Sequence, residues 1–265
     1  MTRTFSTKKI YVGLAAILLS AVSYAQETTG CGQPADYSWI SEALLKHSGQ
    51  ASKIVSVKPA GALGLCELRS DSGPVLYSVP GTRKVMVGQL YNFTNSEIID
   101  LTQLSNQEQT RALLSEVKPE DYIAYTPGGP VTATMYVLVD ADCQFCHKMH
   151  EQISQLNQRG IEVRYLPFVR GGRKGAAWST MSGVWCAKDR KQAMDLAYQS
   201  KSIPAAAECE PILEKYQTFG RKIMLQGTPF TVFADGSTLA GYSPLSEIAE
   251  KALAATSEVN HAQAR

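Results

Sequence analysis

Apolar positions follow three regimes along the chain. Ile10–Val22 is a run of thirteen mostly apolar residues. Beyond it, Pro34–Gly49 has helical spacing, with Ile40, Ala43 and Leu44 on one face and Gly49 as a stop. Short β-type runs follow at Lys53–Val57, Leu63–Arg69, Val75–Val79 and Val85–Val87. Asp71-Ser72-Gly73-Pro74 and Pro80-Gly81 mark turns between them. This pattern predicts a helix packed on an antiparallel sheet. A unit of that size buries little core, so it calls for a staple or a second copy. Ser105-Asn106-Gln107-Glu108 then reads as a capping box opening a helix to about Val117, where Pro119 stops it. That helix is expected to link two domains.

After the loop Thr126–Pro130 the pattern changes. Thr134–Val139 is a continuous, β-branched apolar run, suited to a buried central strand. Asp140-Ala141-Asp142 ends it. Cys143–Gln158 has helical spacing, with Cys146, Met149, Ile153 and Leu156 on one face, and Ile161–Phe168 is a second strand. Strand–helix–strand in this order predicts a parallel βαβ unit. Trp178–Leu225 is mostly helical in pattern. Thr231–Ala234 and Thr238–Ala240 flank a turn at Asp235-Gly236, and Pro244–Ala254 closes the chain as a helix.

The N-terminal apolar run sets the compartment. It follows the basic stretch Met1–Lys9, is too short to span a bilayer comfortably, and ends at Ser23-Tyr24-Ala25. That is the form of a secretory signal over residues 1–25, cleaved after Ala25 to leave Gln26 at the mature terminus. The expected location is the periplasm, where disulfides form and persist. The 265 residues carry a formal charge of +2, and without Arg3, Lys8 and Lys9 the balance is 23 basic to 24 acidic. No bulk charge points to nucleic acid.

Six cysteines then carry the candidate chemistry. Cys143-Gln144-Phe145-Cys146 is a C-x-x-C where a buried strand meets a helix. Helix N-termini stabilise anions, so a thiolate on Cys143 is favoured and its pKa lies below the free value of about 8.5. Cys143 is expected to be the exposed nucleophile. Cys146, one turn inside, is expected to face the core and resolve a mixed disulfide. The same letters continue as C-x-x-C-H, a haem-attachment pattern, and Cys143, Cys146, His147 and His150 are zinc-ligand types. The buried strand argues against haem, and four ligands on one helix cannot converge tetrahedrally. No metal or other cofactor is expected, and His147 and His150 read as polar helix positions.

The run Val139–Gln152, then Trp185-Cys186-Ala187-Lys188-Asp189, then Gly227-Thr228-Pro229 closely resembles the DsbC/DsbG family of periplasmic disulfide isomerases. Val75-Leu76-Tyr77 and Gly88-Gln89-Leu90-Tyr91 resemble its N-terminal domain. The resemblance implies a two-domain α+β and α/β chain. A cystatin-like dimerisation domain would span 26–98, a linker helix 99–120, and a thioredoxin fold 121–265 with a helical insertion at about 170–225. It also implies a V-shaped homodimer, misfolded disulfide-containing exported proteins as clients, and a membrane reductase of the DsbD type as electron donor. Thr228-Pro229 corresponds to the family's Thr–cis-Pro substrate loop.

The family resemblance further implies a structural disulfide between Cys186 and Cys209. That leaves Cys31 and Cys66 to pair within the N-terminal domain, with free thiols or a bridge between two chains as the alternatives. Two features depart from the family. Gln144-Phe145 stands where these isomerases usually carry Gly-Tyr, and usual members lack Cys31 and Cys66. Gln144, Phe145 and His147 are therefore read as tuning the active site. The expected activity is isomerisation of wrong disulfides. The alternatives are a dithiol oxidase or reductase, or a holdase chaperone, the last of which would survive Cys143→Ser.

Overall fold

Tyr37, Ile40, Ile54, Leu68 and Leu76 bury their side chains together and so bring the first helix onto the first sheet. The computed structural model describes residues 30–49, 52–61 and 64–263. The expected signal segment Met1–Ala25 and the mature start at Gln26 lie outside the described residues. Pro34–Tyr37 forms a 3-10 turn that runs into α1 (Ser38–Ser48), and Gly49 caps it in the left-handed region, φ 69°. A β-carbon costs free energy in that conformation, which is why glycine ends the helix there.

Strands β1 (Ile54–Pro59), β2 (Cys66–Ser70), β3 (Leu76–Ser78) and β4 (Val85–Val87) form an antiparallel meander in sequence order. Cys31 and Cys66 are disulfide-bonded, with their Cα atoms 5.5 Å apart. The bond pins the start of the helix to the second strand. Tyr37 adds a hydrogen bond from its hydroxyl to Cys31 O at 2.8 Å. A small hairpin, β5 (Tyr91–Phe93) with β6 (Ile98–Asp100), follows. Its strands are three residues long, and their sequence gave no alternation long enough to read.

The connecting helix differs from the expectation. It begins at Leu101, not Ser105, and α2 spans Leu101–Leu114. Asp100 caps it by accepting Gln103 N at 2.8 Å. Ser105 lies within the helix, where its hydroxyl donates to the buried Glu67 carboxylate. Thr102, Ser105 and Asn106 form a polar seam on β2 and β3: Tyr77 Oη lies 2.6 Å from Thr102 Oγ1, and Arg69 reaches Ser105 Oγ at 2.6 Å. At its other end, Leu113 and Leu114 join a core with Leu138, Leu166, Tyr216 and Phe230. One helix thus touches the first sheet with polar groups and the second unit with apolar ones.

The second sheet has the order β11-β10-β8-β9-β7. Its strands are β7 (Ile123–Tyr125), β8 (Ala133–Val139), β9 (Ile161–Pro167), β10 (Phe230–Phe233) and β11 (Thr238–Ala240). β8 and β9 are parallel, as the strand–helix–strand pattern predicts, and the other pairs are antiparallel. The intervening helix is broken into α3 (Gln144–His150) and α4 (Ile153–Gln158). At the break, Gln152 Nε2 donates to Tyr242 Oη at 2.5 Å. Met149, Ile153 and Leu156 are all buried, so the predicted apolar face survives the break.

Helices α5 (Trp178–Cys186), α6 (Arg190–Tyr198) and α7 (Glu210–Lys222) form the insertion. Cys186 and Cys209 are disulfide-bonded within it. Trp185 is fully buried, and its Nε1 donates to Asp121 O at 2.9 Å. Asp121 Oδ2 accepts from Lys215 Nζ at 2.6 Å and Tyr216 Oη at 3.0 Å, tying the segment after α2 to the insertion. The closing helix α8 (Leu245–Gln263) runs well past the expected Ala254.

Two outcomes follow from this packing. Cys31→Ala with Cys66→Ala opens a bridge across 35 residues, which on the chain-entropy account removes about 4 kcal/mol. The melting temperature of the doubly substituted protein should fall, and non-reducing peptide mapping of the parent should recover the joined peptides from one chain. Gly236, at φ 86°, abuts α2 so closely that a β-carbon would meet Gln107 O at 2.1 Å. Gly236→Ala should therefore cost about 1–3 kcal/mol in a thermal melt, through both backbone strain and this contact.

Candidate active site

Strand β8 ends on Asp140, whose carboxylate is 1% exposed and shapes the turn that follows. Its Oδ1 accepts Asp142 N at 2.8 Å, and its Oδ2 accepts Arg170 N at 2.9 Å and Arg170 Nε at 3.1 Å. Arg170 Nη2 also donates to Asp142 O at 2.6 Å. Burial of a carboxylate is tolerated because it is both paired and hydrogen-bonded. The turn places Cys143 as the N-cap residue of α3, with Cys143 N donating to Asp140 O at 3.1 Å.

Cys143 is 3% exposed, contrary to the expectation of an exposed nucleophile. The cover comes from the Thr228-Pro229 loop, where the peptide bond is cis. As a thiol, Cys143 Sγ donates to Thr228 O at 3.2 Å. Cys146 N approaches the same sulfur at 3.4 Å, the geometry of an N-cap in which sulfur replaces oxygen. The neighbouring Cys146 thiol, and after it the Thr228 side chain and the N–H groups of Cys146 and Phe145, outweigh burial and pull Cys143 down to about 5. α3 has only seven residues, so these local donors matter more than the summed helix dipole.

Cys146 is fully buried, and burial pushes its thiol far above the ordinary range. The two sulfurs of one motif therefore titrate in opposite directions. That separation suits a pair in which one member attacks and the other waits.

The remaining predicted residues divide. Gln144 and Phe145 are exposed beside Cys143, with Lys148 Nζ 5.5 Å from the Phe145 ring centroid. His147 stacks on Tyr198 at 5.5 Å between ring centroids, 4° from parallel. Thr228 and Pro229 lie against Cys143, and Gly241 N donates to Pro229 O at 2.9 Å. The Cys186–Cys209 and Cys31–Cys66 bonds lie elsewhere, in the insertion and the N-terminal unit.

Sequence reasoning missed four groups here. In the sequence Asp140 marks only the end of a strand, and nothing local singles out Arg170. His150 is not a simple polar helix residue, because its Nε2 lies 2.9 Å from Asp195 Oδ1 on α6. Tyr198, on the same helix, was invisible as a site residue. The one local signal available was helical spacing, which puts His147 and His150 on the turn after Cys146.

Residues 120–256 match the family of thioredoxin-like domains, and residues 23–103 match the disulfide bond isomerase protein N-terminal domain. The chain is 32% identical to the thiol:disulfide interchange protein DsbC of Escherichia coli K12 over 217 residues, covering 82% of this chain and 87% of that protein. Against DsbC of Salmonella typhimurium it is 30% identical over 209 residues, covering 78% and 83%. The crystal structure of a disulfide interchange protein from Neisseria gonorrhoeae is 24% identical, covers 52% of this chain and 99% of that one, and superposes with a TM-score of 0.43. With a thioredoxin-like sheet behind a C-x-x-C pair of split acidity and an isomerase N-terminal domain ahead of it, the chain belongs to the DsbC family of thiol:disulfide interchange proteins, which are disulfide isomerases.

Proposed function

We propose that the protein works as a periplasmic homodimer in which Cys143 attacks wrong disulfides of exported client proteins and Cys146 resolves the mixed disulfide. The observation that carries this reading is the split acidity of the pair. With a pKa of about 5, Cys143 is almost entirely thiolate at neutral pH, while Cys146 is held as a thiol by burial. A thiolate that ionises this readily is also a good leaving group, so the mixed disulfide can reverse and the client can rearrange. The Thr228-Pro229 loop covers Cys143 and offers backbone next to it for an extended client segment. Phe145, exposed under Lys148, and His147, held on Tyr198, would tune the pair from the solvent side.

The domain limits 26–98, 99–120 and 121–265 belong to the same reading, as do the cleaved signal over Met1–Ala25 and a DsbD-type reductase that keeps Cys143 reduced. Dimerisation through the N-terminal unit is supported by its surface. β4 is an edge strand, and Val87, Phe93 and Ile98 on β4, β5 and β6 are each more than 60% exposed. Edges of that kind invite pairing with another chain.

Alkylation of the reduced protein should modify Cys143 with a midpoint near pH 5 and leave Cys146 unmodified at neutral pH. Reaction at Cys146 first would reverse the assigned roles. The sign of the linkage gives a companion result. The folded pKa of Cys143 lies below its unfolded value, so its ionisation stabilises the reduced fold at neutral pH. That contribution is lost as pH falls through about 5. The difference in melting temperature between the reduced and disulfide forms should therefore change with pH as this window is crossed, with the reduced form losing ground toward acid. Val87→Lys with Ile98→Lys should yield a monomer in sedimentation, cut isomerisation of a scrambled protein by about tenfold, and leave oxidation of a small dithiol peptide within about twofold. A persisting dimer would place the interface elsewhere.

A further inference from the structure

The resolving thiol has no outlet for its proton in the site described so far. Cys146 is fully buried. The nearby carboxylate of Asp140 is already engaged by Asp142 N and by Arg170 N and Nε. One helical turn beyond Cys146, however, both ring nitrogens of His150 are occupied. Nε2 lies 2.9 Å from Asp195 Oδ1, and Nδ1 lies 3.3 Å from Tyr165 Oη. The rings of Tyr125, Tyr165 and Tyr198 close around the imidazole at 5.4, 5.9 and 4.9 Å between centroids.

Tyr165 is fully buried and packs in the same core as Cys146 and Tyr198. Tyr198 is 6% exposed, and its hydroxyl is buried without a hydrogen-bond partner. Such a group costs free energy unless it acquires a partner in another state. Burial, and after it neighbours that include Cys146, push both phenols well above 10, so each remains an O–H donor. Asp195, at the far end, is 49% exposed. The phenols thus share the core of the dry thiol, and the imidazole connects Tyr165 to a carboxylate that reaches water.

We propose that His150, held by Asp195 and Tyr165, takes up the proton that leaves Cys146 in the resolving step, and that it acts through the Tyr165 and Tyr198 hydroxyls as a positioning residue. This rests on the reading that Cys143 attacks and Cys146 resolves. In the mixed disulfide, Cys143 Sγ is bonded to a client sulfur. Cys146 Sγ attacks Cys143 Sγ as its proton passes toward the imidazole. The Cys143–Cys146 bond forms, the Cys143–client bond breaks, and the client sulfur leaves as a thiolate. A proton returned from His150 through solvent neutralises it. The two electrons released by the protein's thiols reduce the client disulfide, so no further redox partner enters.

The groups facing His150 set its titration. They are Asp195 and Tyr198 from α6, Tyr165 from β9, Tyr125 from β7, which carries Lys191 Nζ at 5.8 Å from its ring centroid, and His147 and Glu151 from its own segment. Burial lowers the imidazole below its ordinary value, against the opposing pull of Asp195. It is therefore neutral, and able to take a proton, at neutral pH. Protonation toward acid removes that capacity.

The test uses the reduced full chain mixed with glutathione disulfide and quenched in acid, with the mixed disulfide on Cys143 followed by mass. In the parent protein the resolving rate should be level at neutral pH and fall toward acid. His150→Gln should leave formation of the mixed disulfide within about twofold, slow its resolution about tenfold or more at pH 7, and make resolution climb with pH where the parent is level. Asp195→Asn, at a half-exposed site, should move the acid limb to lower pH. Tyr198→Phe should slow resolution alone. Unchanged resolution and pH dependence in all three variants would overturn the proposal. So would equal slowing of both steps by His150→Gln with Asp195→Asn and Tyr198→Phe silent, the mark of packing alone. Absence of any mixed disulfide on Cys143 in the parent would instead overturn the assignment of the nucleophile, and this inference with it.

Discussion

The buried carboxylate of Asp140 holds the site together. It accepts three hydrogen bonds, two of them from Arg170 on the segment after β9. The end of one parallel strand is thereby clamped to the exit of its neighbour. The turn between them is fixed, and with it the direction in which α3 starts. Cys143 occupies the N-cap of that helix because the turn delivers it there. A charge this deep is stable only with its partners in place, so the same contacts that pay for its burial also define the geometry of the thiol pair.

The acidity of the pair depends on that placement in two different ways. Cys143 sits where Cys146, Thr228 and two backbone N–H groups converge on its sulfur, which favours the anion. Cys146 is one turn further in, where no water reaches it and the neutral thiol is favoured. A displacement of the helix start would alter both values together. The insertion braces the same helix from outside, with Tyr198 stacked on His147 and Asp195 bonded to His150. Its own disulfide, Cys186–Cys209, ties the end of α5 to the segment that opens α7.

α2 has a comparable double role between the domains. Its first turns dock on β2 and β3 through Thr102 and Ser105, around the buried Glu67–Arg69 pair. Its last turn enters the core of the catalytic unit through Leu114. Polar contacts at one end and apolar ones at the other explain its weak amphipathic pattern, and why the pattern points to a start at Ser105 when the helix begins at Leu101. The Ser105–Glu108 capping pattern is real as a string of letters. Asp100 outcompetes it because β6 already delivers the chain to that point in an extended conformation.

Local patterns alone fixed much of the protein. The apolar run of β8, the helical spacing after Cys143 and the parallel β8–β9 order were legible because each depends on neighbours in sequence. The C-x-x-C at a strand–helix junction announced thiol chemistry for the same reason. The short hairpin β5–β6 and the strand β7 were not legible, since three residues are too few to show alternation. The cover over Cys143, the clamp on Asp140 and the environment of His150 required the tertiary structure. Thr228 is 85 residues from Cys143, Arg170 is 30 from Asp140, and Asp195 is 45 from His150. Sequence spacing carries hydrogen bonds along a helix or across a turn. Burial and the approach of distant groups, which set the acidity of a thiol or an imidazole, exist only once the chain has closed on itself.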